Sequence, residues 1–425
     1  MSNTKIRNIV ARQLIDCNCR PMVEADVVLE NGITGRGSAP TGLSVGMHEA
    51  YVLRDNDPAE FGGLGVHKAI RNVEEVIRPA LIGMDVKNQR AIDEKMINLD
   101  GTPNKSKLGG NAIYSTSIAV LRAAANAAGV PTYRYLAGED IKTVPVPSFN
   151  VINGGRYGDI TLAFNEFLMV PWRAESIYDA VHIAINVFQK LKDVLAEYLG
   201  HDPIVARSYG WAAPSDDPEV VLSLMEKAAR ACGCQDKVAF ALDCASSEMF
   251  DKKTGTYLLK GKRVSSDELI DYAGSLSEKF PLLFIEDLLD EDDWTGFTSA
   301  VSHIKRSIII GDDCTVTNLD RIRRAYEAKA IQGFVLKPNQ VGTITQALDA
   351  YAFAMEHGLF AVPSGRAGGV TDDIVMDLAV GLQVPFLKNG APRSGERIDK
   401  LNFLMRAASL YPDCKLADLS GIVRF

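Results

Sequence analysis

Apolar and polar positions alternate in three distinct rhythms along this chain. Residues from about 5 to 55 read as extended segments separated by turns. MVEADVVLENG alternates and ends in a Glu-Asn-Gly hairpin signal. Residues 65 to 135 change to helical spacing in HKAIRNVEEVIRPALIG, NQRAIDEKMINLDG and NAIYSTSIAVLRAAANAAG, with stop signals at Gly129 and Pro131. The proline-containing stretch TVPVPSFNVINGG marks a crossing into a third region, where short apolar runs alternate with helical stretches to the C-terminus. Those runs are too short for amphipathic helices and too apolar for half-exposed strands, so they predict strands buried on both faces, joined by helices. The expected fold class is α/β: an N-terminal α+β capping domain over residues 1–137, then a barrel domain over residues 138–425.

Four of the apolar runs end on chemistry. Asp243 closes KVAFALD, Glu286 closes PLLFIED, Asp312 closes SIIIGDD and Lys337 closes GFVLK. Strand C-termini in a barrel of β-α units converge on one mouth. One acidic strand end is commonly a helix cap or a salt-bridge partner, but three gathered carboxylates repel each other unless a cation neutralises them. An all-oxygen set suits Mg²⁺. A lysine beside that metal can act as a base if burial and the cationic field lower its pKa. Together these groups equip a site to remove a proton α to a carboxylate and hold the enolate.

Bulk properties narrow the alternatives. With 425 residues the chain has room for two domains and a large core, and 47% hydrophobic with 24% charged residues is ordinary for a globular protein. A net charge of −8 argues against nucleic-acid binding. No stretch is apolar enough to span a bilayer and MSNTKIRN lacks a signal-peptide core, so no membrane partner and a cytoplasmic location are expected. Seven cysteines exclude a complete intrachain disulfide framework, and the Cys17-x-Cys19 and Cys232-x-Cys234 spacings fit zinc poorly. The loop TGLSVGMHEA at 41–50 is either a lid with glycine hinges or an ordinary surface loop.

The stretches LDGT-NKSKLG-NAI, VPVPSFNVINGG, FIEDLLDEDDW, GDDCTVTN, LKPNQVGT and KNGAPRSGER resemble the enolase family over nearly the whole chain. The resemblance implies an N-terminal α+β cap with a lid loop and an enolase-type, modified eight-stranded (β/α)8 TIM barrel. It also implies two Mg²⁺ ions, the second bound with substrate, and a homodimer or larger assembly of dimers. Matched by motif, Asp243, Glu286 and Asp312 correspond to metal ligands, and Ser44 to the lid serine that reaches the second metal. Lys337 corresponds to the base, Glu166 to a glutamate of the family's QEF segment, and Lys388 to the lysine near the substrate carboxylate. Arg366 and Ser364 fall on the phosphate-binding segment. The expected substrate is a small phosphorylated carboxylate like 2-phosphoglycerate.

Departures from the family pattern cluster. Tyr209 stands in RSYGWAAPS where the family's GDEGGFAPN supplies a glutamate acid, and Tyr157 in NGGRYGD replaces an active-site histidine. The family's SHRSGET becomes Ser364-Gly365-Arg366-Ala367-Gly368-Gly369-Val370, and DSRGNPT becomes Asp16-Cys17-Asn18-Cys19-Arg20-Pro21-Met22. Changed groups handle the leaving hydroxyl and part of the phosphate, whereas those that stabilise an enolate persist. The expectation is therefore an enolate former with a divergent outcome, resembling carboxyphosphonoenolpyruvate synthase of phosphonate biosynthesis and using a second, phosphonate or nucleotide-linked substrate. Conventional conversion of 2-phosphoglycerate to phosphoenolpyruvate is the alternative, and a non-catalytic binding paralogue a third. Tyr209 and Tyr157 are expected at the substrate. Trp211 either stacks on a larger substrate or fills volume, and Arg156 and Arg207 either bind an added anion or form surface pairs.

Overall fold

A computed structural model describes residues 3–42, 46–155 and 164–425. Ser44, Arg156 and Tyr157 lie outside the described residues. The chain opens on an antiparallel sheet of β1 (Ile6–Ile15), β2 (Pro21–Leu29) and β3 (Thr34–Ala39), paired in that order. The Glu-Asn-Gly signal forms the β2–β3 hairpin, with Gly32 at φ 85°. Helical structure follows over His67–Leu81, then in α1 (Gln89–Asp100) and α2 (Gly110–Ala128).

The alternation in β2 does not mark an exposed face. Glu24 and Asp26 are buried and paired with Arg12 and Arg36 from the neighbouring strands. Ion pairing satisfies these carboxylates, which burial alone would penalise. The opposite face packs on α2, and β3 approaches that helix through Gly35 and Gly37.

Eight strands make the path of a nine-stranded curled sheet, with the short strand Trp211–Ala212 paired beside it: β4 (Val146–Asn153), β5 (Glu166–Val170), β6 (Ala239–Asp243), β7 (Leu282–Glu286), β8 (Ile308–Gly311), β9 (Gly333–Leu336), β10 (Phe360–Pro363) and β11 (Phe386–Lys388). The neighbour order is β10-β9-β8-β7-β6-β5-β4-β11, and a parallel bridge between Ser364 and Lys388 joins its ends. β5 runs antiparallel to both of its neighbours, and β6 through β10 pair in parallel. The fold is thus α/β with a barrel, as the apolar runs predict, and the barrel is of the modified TIM type that the resemblance implies.

Helices between the parallel strands are started by their own sequence. Ser265 and Glu268 form a capping box on Ser266–Lys279, Asp293 caps Trp294–His303, and Asn318 caps Leu319–Glu327. These starts return the chain so that each following strand repeats the direction of the last. Barrel interior and helix ring supply two buried layers, with Phe284 and Phe386 stacked inside the barrel at 5.7 Å. The C-terminal strand ends consequently share one rim.

Candidate active site

Asp243, Glu286, Asp312 and Lys337 lie on that rim, each at or immediately after the end of its strand. Asp243 and Glu286 are register partners across β6 and β7. Lys388, ending β11, bridges them: its Nζ donates to Asp243 Oδ2 at 2.9 Å and to Glu286 Oε2 at 2.6 Å, with Glu166 Oε2 at 3.7 Å. Lys337 Nζ donates to Asp312 Oδ2, whose Oδ1 accepts from Gln340 Nε2 at 2.8 Å. One cavity is lined by Glu166, Asp243, Asp312, Lys337, Arg366 and Lys388, among others. Ser364 also lines it, with its backbone N–H bonded to Leu336 O.

Burial dominates the electrostatics. It pushes the Glu286 carboxyl well above its usual range, reinforced by Asp243 and opposed by Lys388. Glu166 is likewise raised by burial, with Lys388 working against the shift. For Asp312 burial acts upward but Lys337 and Lys388 outweigh it, and the net shift is downward. Lys337 shows the reverse of the depression expected of a base. Burial lowers its pKa, yet the adjacent Asp312 carboxylate overcomes burial, Arg366 and Lys388, so the net direction is up.

The donor set fits a hard divalent cation. Oε1 of the fully buried Glu286 accepts no hydrogen bond among the described residues, which leaves a buried carboxylate oxygen without a partner. All the groups are oxygen donors, the preference of Mg²⁺. A second gathering involves Asp287, Asp312 and Asp313, whose carboxylate oxygens lie within 4.8 Å of one another. Asp287 also straps the strand ends together, accepting the backbone N–H of Asp312 at 2.9 Å and of Asp313 at 2.7 Å. Burial, then Asp312, raises its pKa to about 7, against the pull of those amides.

Other expected residues occupy less direct positions. Both Arg366 and Glu49 are buried, and Arg366 donates to Glu49 through Nη1 at 2.8 Å and Nη2 at 3.2 Å. The described flanks of the 41–50 loop pack on the rim, with Thr41 bridged to Gly368 and the Met47 N–H on Glu291. Tyr209 does not line the cavity: its hydroxyl donates to Cys17 O at 3.1 Å, and the Arg397 guanidinium lies over its ring. Trp211 is 5% exposed, stacks on Phe188 at 5.4 Å and has the Arg393 guanidinium over its ring, so it fills volume away from this cavity. Arg207 is exposed and does not line the cavity. All seven cysteines are free thiols.

Sequence reading missed several cavity residues. Asn150 and Asn389 present buried amide groups without hydrogen-bond partners among the described residues. Polar residues inside apolar strand runs, as in SFNVIN and FLKN, were the available signal. Arg397 and Lys400 also line the cavity, although GERIDKLNFLM reads as a helix with a charged outer face.

Comparison with known proteins bears on the family and the fold. Residues 6–136 match the family model described as "Enolase, N-terminal domain", and residues 141–413 match "Enolase, C-terminal TIM barrel domain". The enolase of Methanocaldococcus jannaschii is 41% identical over 403 residues, covering 95% of this chain and 94% of the relative. That of Methanopyrus kandleri is 41% identical over 429 residues, covering 99% and 97%. An enolase of Methanococcus maripaludis is 40% identical over 402 residues, 94% of each chain. Two matched domains and full-length identity near 40% make this chain a member of the enolase family, an enzyme that uses Mg²⁺.

Proposed function

We propose that the chain converts 2-phosphoglycerate to phosphoenolpyruvate and water, the reaction first held as the alternative, acting in the cytoplasm as a homodimer or an assembly of dimers. The observation that carries this reading is the convergence of Asp243, Asp312, Lys337 and Lys388 on one cavity, with Glu286 buried behind it and bonded to Lys388. Full-length relatives named enolase support the conventional outcome over a divergent one. The division into a cap over 1–137 and a barrel over 138–425 belongs to the same proposal.

Asp243, Glu286 and Asp312 would hold Mg²⁺. When bound, the ion supplies Lewis-acid stabilisation of the carboxylate as it gains enolate charge. Lys337 takes the C2 proton on Nζ. With Asp312 and Glu286, the two carboxylates that raise it, both committed to the cation, the remaining influences on Lys337 are burial and the charges of Arg366 and Lys388, all of which lower its pKa. Lys388 adds a fixed positive charge beside the growing dianion. Glu166, the cavity carboxyl outside that ligand set on β5, gives its proton to the departing 3-hydroxyl. Arg366 and Ser364 bind phosphate, and Ser44 and Tyr157 keep their expected places at the second metal and the substrate.

A second reading retains the enolate and changes its fate. It is favoured by Tyr209, whose hydroxyl is committed to Cys17 O where the family pattern has an acid. The enolate would then meet a phosphonate or nucleotide-linked co-substrate. Incubation with 2-phosphoglycerate and Mg²⁺ in D₂O separates the two. Phosphoenolpyruvate formation supports the first, and C2 deuteration without it supports the second. Lys337→Met is expected to abolish C2 exchange while leaving Mg²⁺ binding intact; retained exchange would remove Lys337 as the base.

A further inference from the structure

Two glycines at the mouth stand beside buried cations. A Cβ on Gly365 would lie 2.4 Å from Nζ of Lys400 and 3.0 Å from Oδ2 of Asp373. Gly365 has no left-handed φ, so its backbone does not require glycine. A Cβ on Gly390 would lie 2.8 Å from Nη1 of Arg397, although a φ of 85° there also favours glycine. Arg397 and Lys400 lie one turn apart on α3 (Gly395–Leu410), and both are buried while lining the cavity.

The two cations are held differently. Arg397 donates from Nε to Glu396 Oε1 at 3.0 Å and from Nη1 to Ser208 O at 2.6 Å, which fixes its guanidinium. Lys400 has no such anchorage. Its ion-pair partner among the described residues is Asp373, with Nζ to Oδ2 at 3.6 Å, beyond hydrogen-bond length. That Oδ2 accepts no hydrogen bond among the described residues either. An ammonium carries three donors, and among the described residues none of those of Lys400 has an acceptor within hydrogen-bond length, while its side chain lines the cavity. The family pattern has a histidine where this chain has Gly365. Without that side chain, nothing at position 365 covers the ammonium.

We infer that Lys400 is a substrate-facing cation, opened to the cavity by Gly365, and that it binds an oxyanion: the phosphoryl group of the substrate. Arg366 already directs two N–H bonds to Glu49, so Lys400 brings positive charge that is not neutralised to the same degree. The inference rests on the proposed action on a phosphorylated carboxylate.

Calorimetric titration with inorganic phosphate tests it without requiring turnover. Lys400→Met is expected to weaken phosphate binding about tenfold or more, the typical effect of losing a hydrogen bond to a charged group. KM for 2-phosphoglycerate should rise more than kcat falls, and Lys400→Arg should restore part of the affinity. Gly365→Ala keeps the charge but sets a methyl against the ammonium, and should weaken phosphate binding in the same direction. It also decides the matter if Lys400→Met fails to fold. Wild-type protein that binds no phosphate, or equal affinity in wild type, Lys400→Met and Gly365→Ala, would overturn the inference and leave Lys400 as a structural partner of Asp373. Lys400-dependent phosphate binding without turnover of 2-phosphoglycerate would sink the proposed reaction alone.

Discussion

Tyr209 concentrates the chemical question in one residue. Its backbone is left-handed at φ 67°, its hydroxyl is bonded to Cys17 O, and burial with the neighbouring Cys17 and Glu396 raises its pKa above the usual phenol value. A phenol held in that way is a poor proton donor to a leaving hydroxide near neutral pH. Glu166 lines the cavity from the start of β5 and keeps the family's carboxyl. Glu166→Gln should therefore lower phosphoenolpyruvate formation about 10²–10⁴-fold, the range for losing a general acid, with a smaller effect on C2 deuterium exchange. Equal losses in both readouts would instead mean that Glu166 shapes the site for proton abstraction. Tyr209→Glu should change phosphoenolpyruvate formation by no more than a few-fold. A gain of about 10² or more would return the acid role to position 209.

At the scale of elements, the contact between β3 and the helix Gly110–Ala128 depends on two glycines. A Cβ on Gly37 would lie 2.1 Å from Ser115 O and 2.7 Å from Ala119 N, backbone atoms that cannot rotate aside. Gly37→Ala should cost about 3 kcal/mol or more by overpacking, read as a lower midpoint in urea. Gly32→Ala meets no atom within 4 Å and should cost about 1 kcal/mol through its positive φ. The opposite ranking would mean that sheet and helix separate easily. Nothing local in ITGRGSA distinguishes these roles, because the neighbours of Gly35 and Gly37 lie some eighty residues away in sequence. The acidic strand ends were legible for the converse reason: a buried strand terminating on Asp or Glu is a local pattern, and the barrel brings such ends together. Alternation in β2 identified two faces but not the arginines that cover the polar one. Lys400 was hidden because a charged residue on a helix reads as solvent-facing until the surrounding strands and loops are in place.

The whole molecule is tied across the seam between its N-terminal layer and its barrel. Thr345 Oγ1 donates to Asp93 at 2.6 Å, the Ile344 N–H donates to Ser117 Oγ at 3.0 Å, and Arg122 donates to Asp372 O at 2.7 Å. Asp377 sits in this seam, accepting the Tyr133 N–H at 3.1 Å with Arg122 Nη2 at 3.4 Å. Burial raises its pKa from 3.8 to about 6, with Arg122 opposing and Asp372 adding to the rise. A carboxyl whose pKa is higher in the folded state contributes most below its unfolded pKa, and that contribution is lost as pH rises through the folded value. Stability should thus fall by about 3 kcal/mol from this group between about pH 4 and pH 6. Asp377→Asn removes the titration and keeps an acceptor for Tyr133. Urea unfolding of both proteins should show similar stability near pH 4 and a growing advantage for Asp377→Asn toward pH 7. Parallel curves would mean that Arg122 compensates the buried charge in full. The seam matters to chemistry because Glu49, from the N-terminal side, orients Arg366 at the cavity. Weakening the seam should then loosen that arginine before it disturbs the barrel, so KM should respond to pH in this window earlier in wild type than in Asp377→Asn.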